Sequence, residues 1–362
     1  MKRRRRPTQP ILTLGPLLLA RGAQGDRWRV TVVIVTPNAA SAAEEPPDLT
    51  VAGVGLPVPP RWLGLLPQGN TAWRYDFAVP RGAQDGRADY GFLDLGTPWT
   101  FAVPGLAVPP RVALADAGGD GAAPGPSPWS ALLSRHRAQP FHMLALSGLV
   151  PHGVGPDGAP TGGALAERRA LMASVPHLMA WGGPGHGPGH NGPGRALHRL
   201  LAMGLGADEP AENAWGRPND LVQGLTLNRL GLLALDHAAT ADSLAERLDR
   251  LRGCRAVLVL APAVPVATGW RGRLARLRPG TGAAFETALD NALAHFRQDS
   301  GVKVVRLGAV EDRESTRPLP SLTTDGQWLE ARLGATGLDL LAQGARPLVL
   351  TDTPADTDGT GR

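Results

Sequence analysis

The sequence predicts an α/β layered domain preceded by a small all-β sandwich. Three observations point there. Up to residue 110, apolar and polar residues alternate with the period of two that strands require, and Pro, Gly and Asp punctuate the runs. After Pro109-Pro110, short apolar runs alternate with helical patterns, which is the order of an α/β domain. The composition, 43% apolar and 19% charged, can bury a core and is unlike a disordered polyelectrolyte. At 362 residues the chain is long for one domain and comfortable for two. The expected division is a basic tail at 1–7, a β-sandwich at 8–110, an α/β domain at 111–352 and a flexible tail at 353–362.

In the first part, Arg27–Thr36 begins with alternation and ends as a buried run. Ala72–Val79 alternates throughout, so Trp73, Tyr75 and Phe77 share one face while Arg74 and Asp76 share the other. Leu49–Val54, Ala88–Leu93 and Trp99–Val103 read as further short strands. The aromatic residues read as core. In the second part, Arg111–Ala115 is a strand, and Ser127-Pro128 opens a helix with Ser as N-cap and Pro at the first helical position. Phe141–Leu146 is a strand, Ala164–Ala173 a helix and His177–Trp181 a strand. Leu225–Leu235 ends in a strand. Ser243–Leu251 is a helix with Ser243 and Glu246 at capping-box spacing, stopped by Gly253. Ala256–Leu260, the helix Ala283–Arg297, Val302–Leu307 and Leu348–Thr351 complete the pattern.

Charge and cysteine content narrow the function classes. The formal charge is +5, and the cluster Lys2–Arg6 supplies all of it. The body is neutral, which disfavours a nucleic-acid-binding surface. A single cysteine, Cys254, excludes an intrachain disulfide and a cysteine-rich zinc site, and reads as a structural residue. The segment MKRRRRPTQPILTLGPLLLARG has the basic and apolar parts of an export signal, but Gly15-Pro16 interrupts it and no clean A-x-A cleavage site follows directly. The expectation is a cytoplasmic protein with export as the alternative, and no transmembrane segment.

In an α/β sheet, chemistry gathers beyond the carboxyl ends of the strands. The segments there are Asp116–Gly121, Ser147–Gly155, Gly182–Gly194, Asp236–Thr240 and Gly308–Glu314. In their order and surroundings, QPFHMLALSGLVPHG, MASVPHLMAWGGPGHG, LGLLALDHAATAD, AVLVLAPAVPV and VVRLGAVED resemble the strands and loops of the PhoD-like (alkaline phosphatase D) metallophosphoesterases. ILTLGPLLLARG and RWRVTVVIVT resemble that family's N-terminal β-domain. The resemblance implies an αββα sandwich for the second domain and a dinuclear metal site that activates water for phosphoester hydrolysis.

The resemblance also locates where the ligands would be. Leu149 stands at the aspartate of "GGDQ" and Val150 at its glutamine. Trp181 matches the tryptophan before "D-D-H-D", whose places are taken by Gly182, Gly183, Pro184 and Gly185. Ala309 stands at the aspartate of "SGDVH" and Glu311 at its histidine. Ala117 and Gly118 occupy the cysteine and asparagine of "SCN", and Ala238 the arginine of "LDLRSE". Leu, Gly, Pro and Ala offer a divalent ion no side-chain donor. The expectation is therefore a pseudoenzyme with no cofactor, in a binding or scaffolding role, whose partner is a protein or a small anionic ligand.

The alternative is an active metal-dependent hydrolase with a rebuilt site, drawing on His152, His186, His190, Asp236 and Glu311 and on Ca, Mn, Fe or Zn. His186 and His190 lie in GGPGHGPGHNGPG, where Gly and Pro exclude a helix; they either wrap a metal or are solvated loop histidines. Asp236 either pairs with His237 or bonds local backbone. Ser147 lacks the G-x-S-x-G elbow, there is no Walker loop, and Pro184, Pro188 and Pro193 remove N–H donors that a phosphate cradle needs. His142 reads as a satisfied core histidine.

Overall fold

The computed structural model describes residues 14–36, 46–52, 54–65, 71–92, 98–116, 128–147, 164–179, 222–235, 241–260, 282–307, 328–333, 338–342 and 348–349. The chain runs β1 (Leu14–Gln24), β2 (Arg27–Thr36), β3 (Leu49–Val51), β4 (Val54–Val58), β5 (Pro60–Leu65), β6 (Thr71–Pro80), β7 (Gly86–Phe92) and β8 (Trp99–Val103). It continues through β9 (Arg111–Asp116), α1 (Pro128–Ala138), β10 (Met143–Ser147), α2 (Ala164–Ser174), β11 (His177–Met179), β12 (Val222–Leu227) and β13 (Leu230–Leu235). Then come α3 (Ala241–Asp249), β14 (Ala256–Leu260), α4 (Gly282–Ser300), β15 (Lys303–Leu307), β16 (Trp328–Leu333), β17 (Leu338–Ala342) and β18 (Leu348–Val349).

The strands form three sheets. One has ten strands in the order β18-β17-β16-β9-β10-β11-β1-β2-β6-β5, and the others are β12-β13-β14-β15 and β4-β3-β7-β8. Strands β9, β10 and β11 are mutually parallel, as are β13, β14 and β15. Most residues described are in strands, with four helices among them.

Three apolar clusters explain the layering. The largest lies between the sheets. It joins Val112, Leu114, Met143 and Ala145 of the ten-stranded sheet to Leu225, Leu232, Leu258 and Val305 of the β12–β15 sheet, and also to Tyr90, Phe92 and Phe101 of the third sheet. A second buries Trp129, Leu132 and Leu133 of α1 and Leu171 of α2 against Leu19, Val33, Ala113 and Leu144 on the opposite face. A third buries Leu244 and Leu248 of α3 and Leu289, Leu293 and Phe296 of α4 against Leu233, Val257 and Val259. Burial in β2 follows directly. Its start alternates, and its later residues are covered on both faces because Val30, Val32 and Ile34 enter one cluster while Val33 and Val35 enter another.

The expected break at Pro109-Pro110 separates two textures but not two sheets. Strands β1, β2, β5 and β6 extend the sheet that holds β9–β11, through a pairing of Leu19 with His177. The β-rich first part is thus a sandwich that shares one leaf with the second. Most described aromatic residues of that part are core: Tyr75 meets Phe92 edge-on at 5.5 Å and Phe77 meets Phe101 at 6.3 Å, whereas Trp62 on β5 is 54% exposed.

Two expectations shift in detail. Leu225–Leu235 does end in a strand, β13, but its first residues close β12 of a hairpin, because Asn228 takes a positive φ of 55° and turns β12 into β13. Ser243 falls inside α3, which begins at Ala241, so Ser243 is not its N-cap. Glu246 instead pairs with Arg250 one turn on.

Candidate functional site

One clasp gives the two parallel sets of strands a common starting edge. Asn228, in the turn before β13, donates from Nδ2 to the carbonyls of Gly105 at 2.9 Å and Val108 at 2.8 Å, just ahead of β9. Arg81, only 7% exposed, donates to the carbonyls of Pro104 and Gly105 and to Asn228 Oδ1. All its described acceptors are neutral oxygens, and burial lowers its pKa. With β9 and β13 starting together, their carboxyl ends lead away from this edge.

At those ends, Asp116 of β9 and Ser147 of β10 are register partners, side by side in the sheet. In the sequence, every residue nominated as a ligand or vestigial ligand follows such an end. Ala117 and Gly118 follow β9, and Leu149 and His152 follow β10. Gly182, Gly183, Pro184, Gly185, His186 and His190 follow β11, Asp236 follows β13, and Ala309 and Glu311 follow β15. All of these nominated residues lie outside the described residues. Among the described residues no three His, Cys, Asp or Glu side chains are grouped as metal ligands.

The polar cluster that is described sits at the opposite, amino edge of β9. Glu330 on β16 is 2% exposed. Its Oε1 accepts from Arg111 Nε at 2.9 Å and from Arg332 Nε at 2.6 Å, and its Oε2 accepts from Arg135 Nη2 at 3.3 Å. Arg111 and Arg332 are directly opposed across β9 and β16. Like charges in that position repel unless something stands between them, and Glu330 does so. Burial pushes the Glu330 carboxyl up, but hydrogen bonds from Arg332 and Arg111 and their charge outweigh it, leaving the pKa below the ordinary carboxylate value. Arg111 also donates to Pro140 O and lies over the Phe141 ring at 5.4 Å.

Two histidines brace the same edge. His142 Nδ1 accepts from Arg111 N–H at 3.0 Å, while its Nε2 lies 3.1 Å from Asp85 Oδ1. That pair of partners defines the neutral tautomer, with Nδ1 bare and Nε2–H donating to the carboxylate. His136 Nδ1 likewise accepts from Phe141 N–H at 3.1 Å. Burial, then the charges of Arg111, Arg87, Arg137 and His142, push His136 down to about 4. Burial also lowers His142, against the raising effect of Asp85. The expectation of a satisfied histidine at 142 holds, although it precedes β10 rather than lying within it. Cys254 is buried, and burial pushes its thiol up to about 11, far from a reactive thiolate.

Sequence reasoning missed this cluster. Arg111 and Glu330 are 219 positions apart, and no motif spacing links them.

No family model matches the chain. No curated protein gives a significant match. Among solved structures, one described as "GAP50 the anchor in the inner membrane complex of Plasmodium" is similar at 10% identity, covering 65% of this chain and 84% of that one with a TM-score of 0.36. A likeness at that level bears on neither family nor function. No helix among the described residues is long and apolar enough to cross a membrane.

Proposed function

We propose that this chain is a PhoD-like protein of the alkaline phosphatase D family that has lost its dinuclear metal site and acts as a cytoplasmic binding or scaffolding protein. The donor set carries the reading. Leu149, Gly182, Gly183, Pro184, Gly185, Ala117, Gly118 and Ala309 stand where that family would place ligands, and none offers a metal a side-chain oxygen, nitrogen or thiolate. Further support comes from the parallel strands β9, β10, β11, β13 and β15, whose carboxyl ends run in the sequence into those positions. A dinuclear ion pair does not fit this donor set.

Metal content of the tag-free protein tests the proposal. The protein would be offered Ca, Mn, Fe and Zn, dialysed, and measured by plasma mass spectrometry. No retained metal is expected, together with no turnover of phosphomonoesters or phosphodiesters. About two ions per chain, the dinuclear stoichiometry, would overturn ligand loss. About one ion, removed by His186→Ala or His190→Ala, would favour instead the hydrolase rebuilt on His152, His186, His190, Asp236 and Glu311.

A further inference from the structure

We propose that Arg135 and Arg332, both held on the buried carboxylate of Glu330, form a binding site for a dianionic phosphoryl group at the amino edge of β9. The site lies at the end of that strand opposite Asp116, so it is separate from the carboxyl-edge positions that follow β9, β10, β11, β13 and β15.

Charge is the first argument. Three guanidiniums face one carboxylate, which leaves a surplus of two positive charges, the complement of a phosphate dianion. The acid nearest in register, Asp339, is the cross-strand partner of Arg332, and among the described residues no ion pair joins them. Asp85 is committed to His142 and to the Gly105 N–H. Burial does most to lower the pKa of His136, and the charges of Arg111, Arg87 and Arg137 add to it in the direction of a positive field here.

Geometry is the second. Arg135 and Arg332 are each 36% exposed at the side chain, so both can be reached from solvent. Arg332 bonds Glu330 through Nε and Arg135 through a single Nη, and their other nitrogens make no hydrogen bond among the described residues. A surface arginine ordinarily loses much side-chain freedom when it grips an anion. Here the buried carboxylate has already removed it, so less is lost on binding. The opposed Arg111–Arg332 pair with Arg135 added leaves donors that a ligand can use.

Binding would be followed by thermal shift and titration calorimetry on the full chain at constant ionic strength, with inorganic phosphate in one arm and glycerol 3-phosphate in the other. The expected result is a saturable rise in Tm that is weakened about ten-fold or more in apparent Kd by Arg135→Gln and by Arg332→Gln, the scale of one charge-assisted bond. Arg250→Gln, at an exposed position just past the end of α3, should leave binding unchanged. Phosphate alone would identify the free ion as the ligand, and equal or tighter binding of the ester would identify a terminal phosphate on a larger molecule. If Arg332→Gln fails to fold, Arg135→Gln still leaves Glu330 with Arg111 and Arg332. No saturable shift, or a shift that both variants leave intact, would overturn the proposal. The latter result would place phosphate elsewhere on the chain, and neither result would alter the metal content by which loss of the dinuclear site is judged.

Discussion

At the scale of single residues, His136 and His142 make stability depend on pH in a way their surroundings dictate. Each is a neutral acceptor for a backbone N–H, and each has a folded pKa below the ordinary 6.5. The unfolded chain therefore binds protons more readily. Their stabilisation is complete above about pH 6.5 and is lost as pH falls toward the folded values, about 4 for His136. For His136 the loss is on the order of 3 kcal/mol. Urea midpoints measured between pH 7 and 4 should fall in that window. His136→Leu should be destabilised at pH 7 by about 1–3 kcal/mol, because Phe141 N–H loses its acceptor, yet show a shallower slope. An unchanged slope would mean that other groups titrate there. Glu330 acts in a lower window. Its folded pKa lies below the ordinary 4.5, so its stabilisation is present above that value and fades under it. Glu330→Gln leaves three arginines around an uncharged amide and should cost about 3–5 kcal/mol at pH 7, read from the same urea titration.

At the scale of elements, the β12–β13 turn shows how much rests on one side chain. Asn228 tolerates φ of 55° better than most residues and spends its amide on two carbonyls of the segment leading into β9. Asn228→Ala keeps the strained φ and leaves Gly105 and Val108 short of a donor; a loss of about 2–3 kcal/mol is expected from chemical denaturation. Asn228→Gly, which relieves φ but not the hydrogen bonds, should recover part of it. If the two variants match, backbone conformation contributes nothing at this turn. Next along β13, a Cβ at Gly231 would stand 2.9 Å from Val257 Cγ2 and 3.1 Å from Cys254 Sγ. That is why this strand carries a glycine in an otherwise aliphatic run. The elements with strong local signals were legible in the sequence. The alternation of Ala72–Val79 matches β6, and the Ser127-Pro128 start matches α1 at Pro128. The strands β5, β16 and β17 were not legible. WLEARL puts Glu330 in a buried position, a choice that makes sense only beside Arg111 and Arg135. Local pattern carries no information about such partners, so the polar cluster was invisible until the sheet order was known.

At the scale of the molecule, the ten-stranded sheet makes the two halves of the sequence one mechanical unit. Strands from residues 14–80 lie beside β11, and the main apolar cluster draws on both halves and all three sheets. Polar contacts repeat the pattern: Tyr90 O–H donates to Ala173 O of α2 at 2.6 Å, and Arg81 joins the β6 end to the Asn228 turn. A chain built this way should unfold in one step despite its length. Far-UV circular dichroism and tryptophan fluorescence are expected to give coincident urea transitions, the mark of two-state behaviour. A fragment spanning 111–362 keeps six strands of the large sheet but loses the cover over Leu178 and His177, which are 1% and 0% exposed in the whole chain. It also loses Asp85, the acceptor that holds His142 against Arg111. That fragment should be collapsed or aggregated rather than folded, with poor amide protection in hydrogen exchange, and it should bind no phosphate even though Arg111, Arg135, Glu330 and Arg332 are all present. Two separate transitions in the full chain, or a fragment with native-like exchange protection, would show that the first hundred residues only lean on a domain that stands without them.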